Sequence, residues 1–228
     1  MGSFPGSPRT LRGAFVAVDP TGPVSPVVFF QYNPDTVTRS LRPREAASQP
    51  EVGPADAHRM WGAPIETISM KIEVDAADQQ EITGVVGAVA GLVPAVAGIG
   101  PQLAALELLL YPTSRQVIAD TALMLAGSIE ILPPEGPLVV LVWGPRRIVP
   151  VRLESLTVTE DAFNQLLNPI RATVDLSAQV LTYNDLSVSD PGRALFLGHQ
   201  VLKETMAAAA GVTGAISVAA DVTALAGF

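Results

Sequence analysis

No cysteine occurs among the 228 residues. Disulfides, thiolate-bound metals, iron–sulfur clusters and a cysteine nucleophile are excluded together. Histidine is nearly as scarce, and His58 and His199 alone are too few for a multi-histidine metal site. Lysine is confined to Lys71 and Lys203; the other basic residues are arginines, which suit fixed, bidentate interface contacts. Charged residues make up only 16% of the chain, against about 25% in an ordinary soluble domain, while hydrophobic residues reach 48%. That balance excludes a mostly disordered chain, which needs low hydrophobicity and high charge. It also leaves less surface that prefers water, so a surface covered by a partner is expected. The net charge of −8 argues against a nucleic-acid partner, because phosphate binding needs concentrated Lys and Arg.

Motifs for chemistry are missing as well. There is no Gly-x-Ser-x-Gly elbow, no P-loop and no Gly-x-Gly-x-x-Gly fingerprint after a strand. His58 reads as a solvated loop histidine and His199 as a packed or solvated helix residue. Glu160 and Asp161 are adjacent, so a strand would send them to opposite faces, and each reads as solvated or turn-capping. The chain is therefore read as a non-enzyme with no catalytic, cofactor or metal site. The opening MGSFPGSPRT lacks a basic segment followed by an apolar run and is not read as a secretory signal. Ile82–Leu106 carries no charge, and Met206–Phe228 only Asp221. Both are Ala/Gly/Val-rich rather than Leu/Ile/Phe-rich, and the first is broken by Pro94 and Pro101, so neither reads as a spanning helix.

Along the chain, residues 1–11 read as a flexible leader, 12–186 as a β domain and 187–228 as a helical Ala/Gly-rich tail. Ala14–Asp19 and Val27–Tyr32 are predicted strands of a hairpin around Pro20 and Gly22, with Phe29, Phe30 and Tyr32 read as core and sheet residues. Thr36–Leu41 continues the strand pattern, and 42–64 is a long polar excursion. Glu66–Asp75 is the clearest strand, with Ile68, Met70, Ile72 and Val74 on one face and Thr67, Ser69, Lys71 and Glu73 on the other. A Gly-rich loop follows, then a helix over Pro101–Leu110 with proline at its first turn. Residues 115–128 are ambiguous between loop and short helix. Leu138–Trp143, Ile148–Thr159 and Ile170–Tyr183 are strands, with a bulge near Ser155 where the apolar phase slips. Glu160–Leu167 reads as a helical turn or a wide loop. Asp190-Pro191 opens a C-terminal helix. The expectation is an α+β chain, mainly β, of six or seven strands.

Several segments in this order resemble a known family: Phe30-Gln31-Tyr32-Asn33-Pro34, the strand Ile68–Asp75, PQLAALELLLYP at 101–112, Val142-Trp143-Gly144, VPVRLESLTVTE at 149–160, and Phe163 with Leu167-Asn168-Pro169-Ile170-Arg171-Ala172. The chain resembles the tube-type proteins of contractile injection systems, the phage-tail-like particles of bacteria. It is most similar to the baseplate component that joins the inner tube to the central spike. The resemblance implies a tail-tube-like β-barrel or sandwich with a flanking helix. It further implies a structural role in a six-fold ring, with an inner tube protein, a trimeric spike or hub protein and other baseplate proteins as partners. Assembly would take place in the bacterial cytoplasm. Many such proteins carry a C-terminal LysM-type module; here the chain after Tyr183 reads as helical instead. Interface contacts are placed by the resemblance on the Asn33–Pro64 excursion, the 83–100 loop, Trp143, Arg146 and Arg147 of one turn, and Phe163, Asn168 and Arg171 of another segment. Two other readings stay open: a tail-tube or tail-completion protein of a contractile phage, and a membrane-associated β-domain anchored through 206–228 or 82–106.

Overall fold

Period-two apolar patterns become seven strands in the computed structural model. It describes residues 11–18, 27–30, 32–44, 60–76, 98–112, 114–125 and 136–225, with side chains of the last stretch described as far as 211. The leader, the β1–β2 turn, His58 with most of the polar excursion, and most of the Gly-rich loop lie outside the described residues. The elements are β1 (Ala14–Val18), β2 (Val27–Phe29), β3 (Val37–Arg42), β4 (Ile65–Asp75), α1 (Gly100–Glu107), α2 (Ser114–Leu125), β5 (Leu138–Val142), β6 (Ile148–Phe163), β7 (Pro169–Val180) and α3 (Pro191–Leu225). The strands form one sheet in the order β2-β1-β5-β6-β7-β4-β3, antiparallel at every pairing.

One face of that sheet is the core. Ile68, Met70, Ile72 and Val74 lie opposite Ala178, Leu176, Val174 and Ala172, and all eight are buried. The predicted bulge is present: pairing of β6 with β7 shifts between Leu153 and Ser155, which returns Leu156 and Val158 to the apolar face. Ile99, Leu103, Leu106 and Leu109 of and beside α1 join the same core, as does Phe196 from the first turns of α3.

The sheet must curl. β2 and β3 are consecutive in sequence yet occupy opposite edges. Asn33 is tied to β1 by accepting the Gly13 N–H at 2.9 Å and donating to the Leu11 carbonyl at 2.8 Å. From Asn33 the chain reaches β3 at Val37 within at most about 14 Å, whereas β1 and β3 in a flat sheet would stand about 24 Å apart. The sheet is not closed into the barrel that was one of the two expected forms, however. Among the described residues β2 and β3 each pair with a single strand, so the curled sheet stays open along that seam. A three-residue β2 followed closely by Pro34, which has no N–H to donate, offers too few hydrogen bonds to close it.

Three local expectations change. Phe30 is buried, but Phe29 is 67% and Tyr32 48% exposed. Strand alternation turns Phe29 away from Val28, while Phe30 leaves the strand and turns inward onto Phe15 and Trp143. The ambiguous stretch after Ser114 is helical as far as Leu125, and no described residue of it is buried. Glu160 to Phe163 extends β6 instead of forming a helical turn or wide loop, because pairing with β7 continues to Phe163 opposite Pro169.

Candidate functional site

The six residues expected at interfaces fall into two groups at the two ends of β6, which extends roughly 50 Å if straight. Trp143, Arg146 and Arg147 belong to the tight β5–β6 turn. The Trp143 N–H donates to the Arg147 carbonyl at 2.7 Å, and Gly144 takes a φ of 72°. Trp143 is half-buried against Phe30, Arg146 is exposed, and Arg147 is half-buried. Phe163, Asn168 and Arg171 belong to the β6–β7 hairpin. Phe163 is exposed, and Arg171 pairs with Asp75 across to β4 at 2.8 Å.

The tip of that hairpin is rigid and apolar. The Asn164 side-chain carbonyl accepts the N–H groups of Leu166 and Asn168, and the Asn164 N–H donates to the Asn168 carbonyl. Leu167 is held at a φ of 60°, a conformation that disfavours any residue with a Cβ. Leu166 and Leu167 are 68% and 81% exposed. Two leucines are thus presented to solvent on a strained turn held by four hydrogen bonds between Asn164 and the residues Leu166 to Asn168. Sequence reasoning placed contacts on this segment but missed these two residues. The available signal was a Leu-Leu pair between Asn164 and Asn168-Pro169.

At the other end lies a charge cluster that sequence reasoning also missed. Glu66 falls in phase with Ile68 and is buried. Arg39 of β3 donates to its Oε1 through Nε at 2.7 Å and Nη2 at 2.6 Å, and Lys203 of α3 donates to Oε2 at 3.0 Å. Arg147 of the β5–β6 turn lies close enough to feel the charges of both Arg39 and Glu66. Burial and then Arg39 push its guanidinium down, with Glu66 opposing, yet an arginine stays charged at pH 7. His199 of α3 borders the cluster, and burial and then Lys203 hold its imidazole below the ordinary range. Its Nδ1 is buried with no partner among the described residues. A glutamate in the apolar phase of β4 was the legible signal. A second network anchors the start of α3: Arg44 grips both Asp185 oxygens at 2.6 Å, and Asp185 accepts the Thr182 N–H and hydroxyl.

Burial raises the pKa of Glu66, but Lys203 and Arg39 together outweigh it and hold the carboxyl below its usual range. A depressed folded-state pKa gives stability that is complete above the unfolded value of about 4.3 and is lost as pH falls through the folded value. Glu66→Gln is therefore expected to cost about 1–2 kcal/mol at pH 7, since it removes the carboxylate from two cations that are themselves about a third exposed. The gap should shrink on acidification. Urea denaturation of both proteins at pH 7 and pH 3 checks this, and an unchanged gap at pH 3 would refute the assigned role.

No group of three or more His, Asp or Glu side chains is arranged to hold a metal ion among the described residues. No helix among them is long and apolar enough to cross a membrane. The chain matches no protein-family model and no curated protein.

Proposed function

We propose that the chain is a structural, non-enzymatic baseplate component of a contractile injection particle. It would form a ring, a hexamer of identical copies, that joins the inner tube to the trimeric spike within the assembled particle. The observation that carries this reading is the β6–β7 hairpin with its fixed Leu166-Leu167 tip. Apolar anchors whose shape is set before binding lose little conformational freedom on docking, which favours an assembly role. Open strand edges support the same reading. Among the described residues, β6 pairs with β5 only through Ile148–Val151, and nothing pairs with the outer edges of β2 and β3. A closed ring covers such edges and removes their tendency to aggregate. The ordered sequence resemblance supplies the class of particle.

Native mass spectrometry tests this, with the purified chain alone and then mixed with inner-tube and spike proteins from the same particle. Six copies bound to both neighbours are expected. Leu166→Ser/Leu167→Ser is expected to abolish the mixed complex while leaving the circular dichroism spectrum unchanged. A monomer that ignores both neighbours would sink the proposal. Binding to tube protein alone would reassign the chain to the tube itself.

A further inference from the structure

We infer that copies of this chain meet head to tail, the Arg171 end of one against the Glu66 end of the next, through two charge clusters of opposite sign. This deepens the ring reading and rests on it only for the expectation that copies meet. The charges themselves are a property of the single chain.

The two clusters mirror each other. Around the Glu66 carboxylate stand three cations, Arg39, Arg147 and Lys203. Around the Arg171 guanidinium stand three carboxylates, Asp75, Asp161 and Glu73. Glu66 and Asp75 lie near opposite ends of β4, roughly 30 Å apart. Each cluster is over-supplied with one sign. Arg147 makes no salt bridge among the described residues, and Arg171 spends its 2.8 Å bridge on Asp75 rather than on Asp161 or Glu73. Arg146 adds an exposed cation beside Arg147, while Asp35 lines the same surface depression as Glu73 and Lys71, so carboxylates still outnumber cations at that end. Arg171 is 64% exposed, so the acidic end is open to a partner.

The net charge of −8 makes copies repel one another on average. A two-fold contact through either end would set like clusters face to face. A head-to-tail contact brings the surplus cations of one copy to the surplus carboxylates of the next. It is also heterologous, the kind of contact from which rings are closed. The charges would act over about 8–10 Å at ordinary ionic strength, so they select the orientation and weaken with salt.

The test is a charge swap read by analytical ultracentrifugation at low and high salt. Wild-type chain is expected to self-associate, less so as salt rises. Arg147→Glu and Asp161→Arg are each expected to weaken association about tenfold. Mixed in equal amounts, the two variants should recover association, because one junction between them keeps the native pairing and the other pairs the two substituted ends with their signs exchanged. Circular dichroism confirms that each variant is folded. If either fails, the milder Arg147→Gln and Asp161→Asn with a salt titration carry the same expectation of weakened association. Single variants that associate like wild type, or a mixture that shows no pairing, would overturn the inference. A hexamer indifferent to these substitutions would overturn it while leaving the ring reading intact. Salt-sensitive, swap-rescued association by a chain that binds neither tube nor spike protein would do the reverse.

Discussion

Phe15→Ala is expected to destabilise the fold by about 3–5 kcal/mol, the range for emptying a large buried aromatic site. Phe15 is fully buried. It lies opposite Val28 of β2 on one side and Leu141 of β5 on the other. Its ring meets that of Phe30 edge-on, with centroids 5.3 Å apart, and Phe30 in turn leans on Trp143 at 6.0 Å. Aromatics are only 5% of the chain, and three of them meet here, where the chain leaves β2 toward β3. The surrounding strands are held by hydrogen bonds and cannot collapse into the vacated space, which puts the effect at the upper part of the usual scale. Phe29→Ala is the control. That ring is 67% exposed, and its loss should cost no more than about 0.5 kcal/mol. Equal effects in urea denaturation would mean that the two faces of the β1–β2 hairpin are misassigned.

Gly98→Val is the second large effect, at about 2–4 kcal/mol. Gly98 has a φ of 59°, and a Cβ there would run into the Pro169 carbonyl. That carbonyl accepts the Ile99 N–H at 2.9 Å, the bond that fixes the start of α1 to the β6–β7 hairpin. Positive φ strain and steric displacement therefore add, and both act on the attachment of α1, whose Leu103 and Leu106 are buried. Hydrogen exchange at the Ile99 amide should accelerate more than exchange in β7. Gly144→Ala separates the two causes. Its φ of 72° brings the same strain, but nothing lies near the added carbon, so about 1 kcal/mol is expected. If Gly98→Val were no worse than Gly144→Ala, the contact with Pro169 would have no energetic weight.

β4 and β7 were legible because one apolar face and one polar face alternate without interruption from Thr67 to Val74 and from Arg171 to Val180. The bulge at Ser155 was legible for a related reason, since an apolar phase that slips and resumes needs one extra residue. α2 was not legible, because Val117, Ile118, Leu123 and Met124 bury nothing and so leave no clean stripe. The curl was out of reach, as it depends on Asn33 meeting Gly13, a contact 20 residues apart that no local pattern reveals. Of the candidate surfaces, the segments carrying Trp143–Arg147 and Phe163–Arg171 were picked out, but not their separation to opposite ends. Glu66 was passed over because periodicity sorts faces by hydrophobicity, and a charge in the apolar phase looks like a strand end.

The strand order also sets the timetable of folding. β1 reaches across the sequence to β5, and β4 to β7, through pairs such as Ala14 with Val142 and Thr67 with Gln179. Closing loops of that size slows folding, and emergence from the ribosome delays it further. The hairpins β1–β2 and β3–β4 are complete early, but the strands between them, β5, β6 and β7, are synthesised last. The sheet is thus finished only once β7 exists, and a nascent fragment that stops short of it lacks the β6–β7 hairpin through which copies would join.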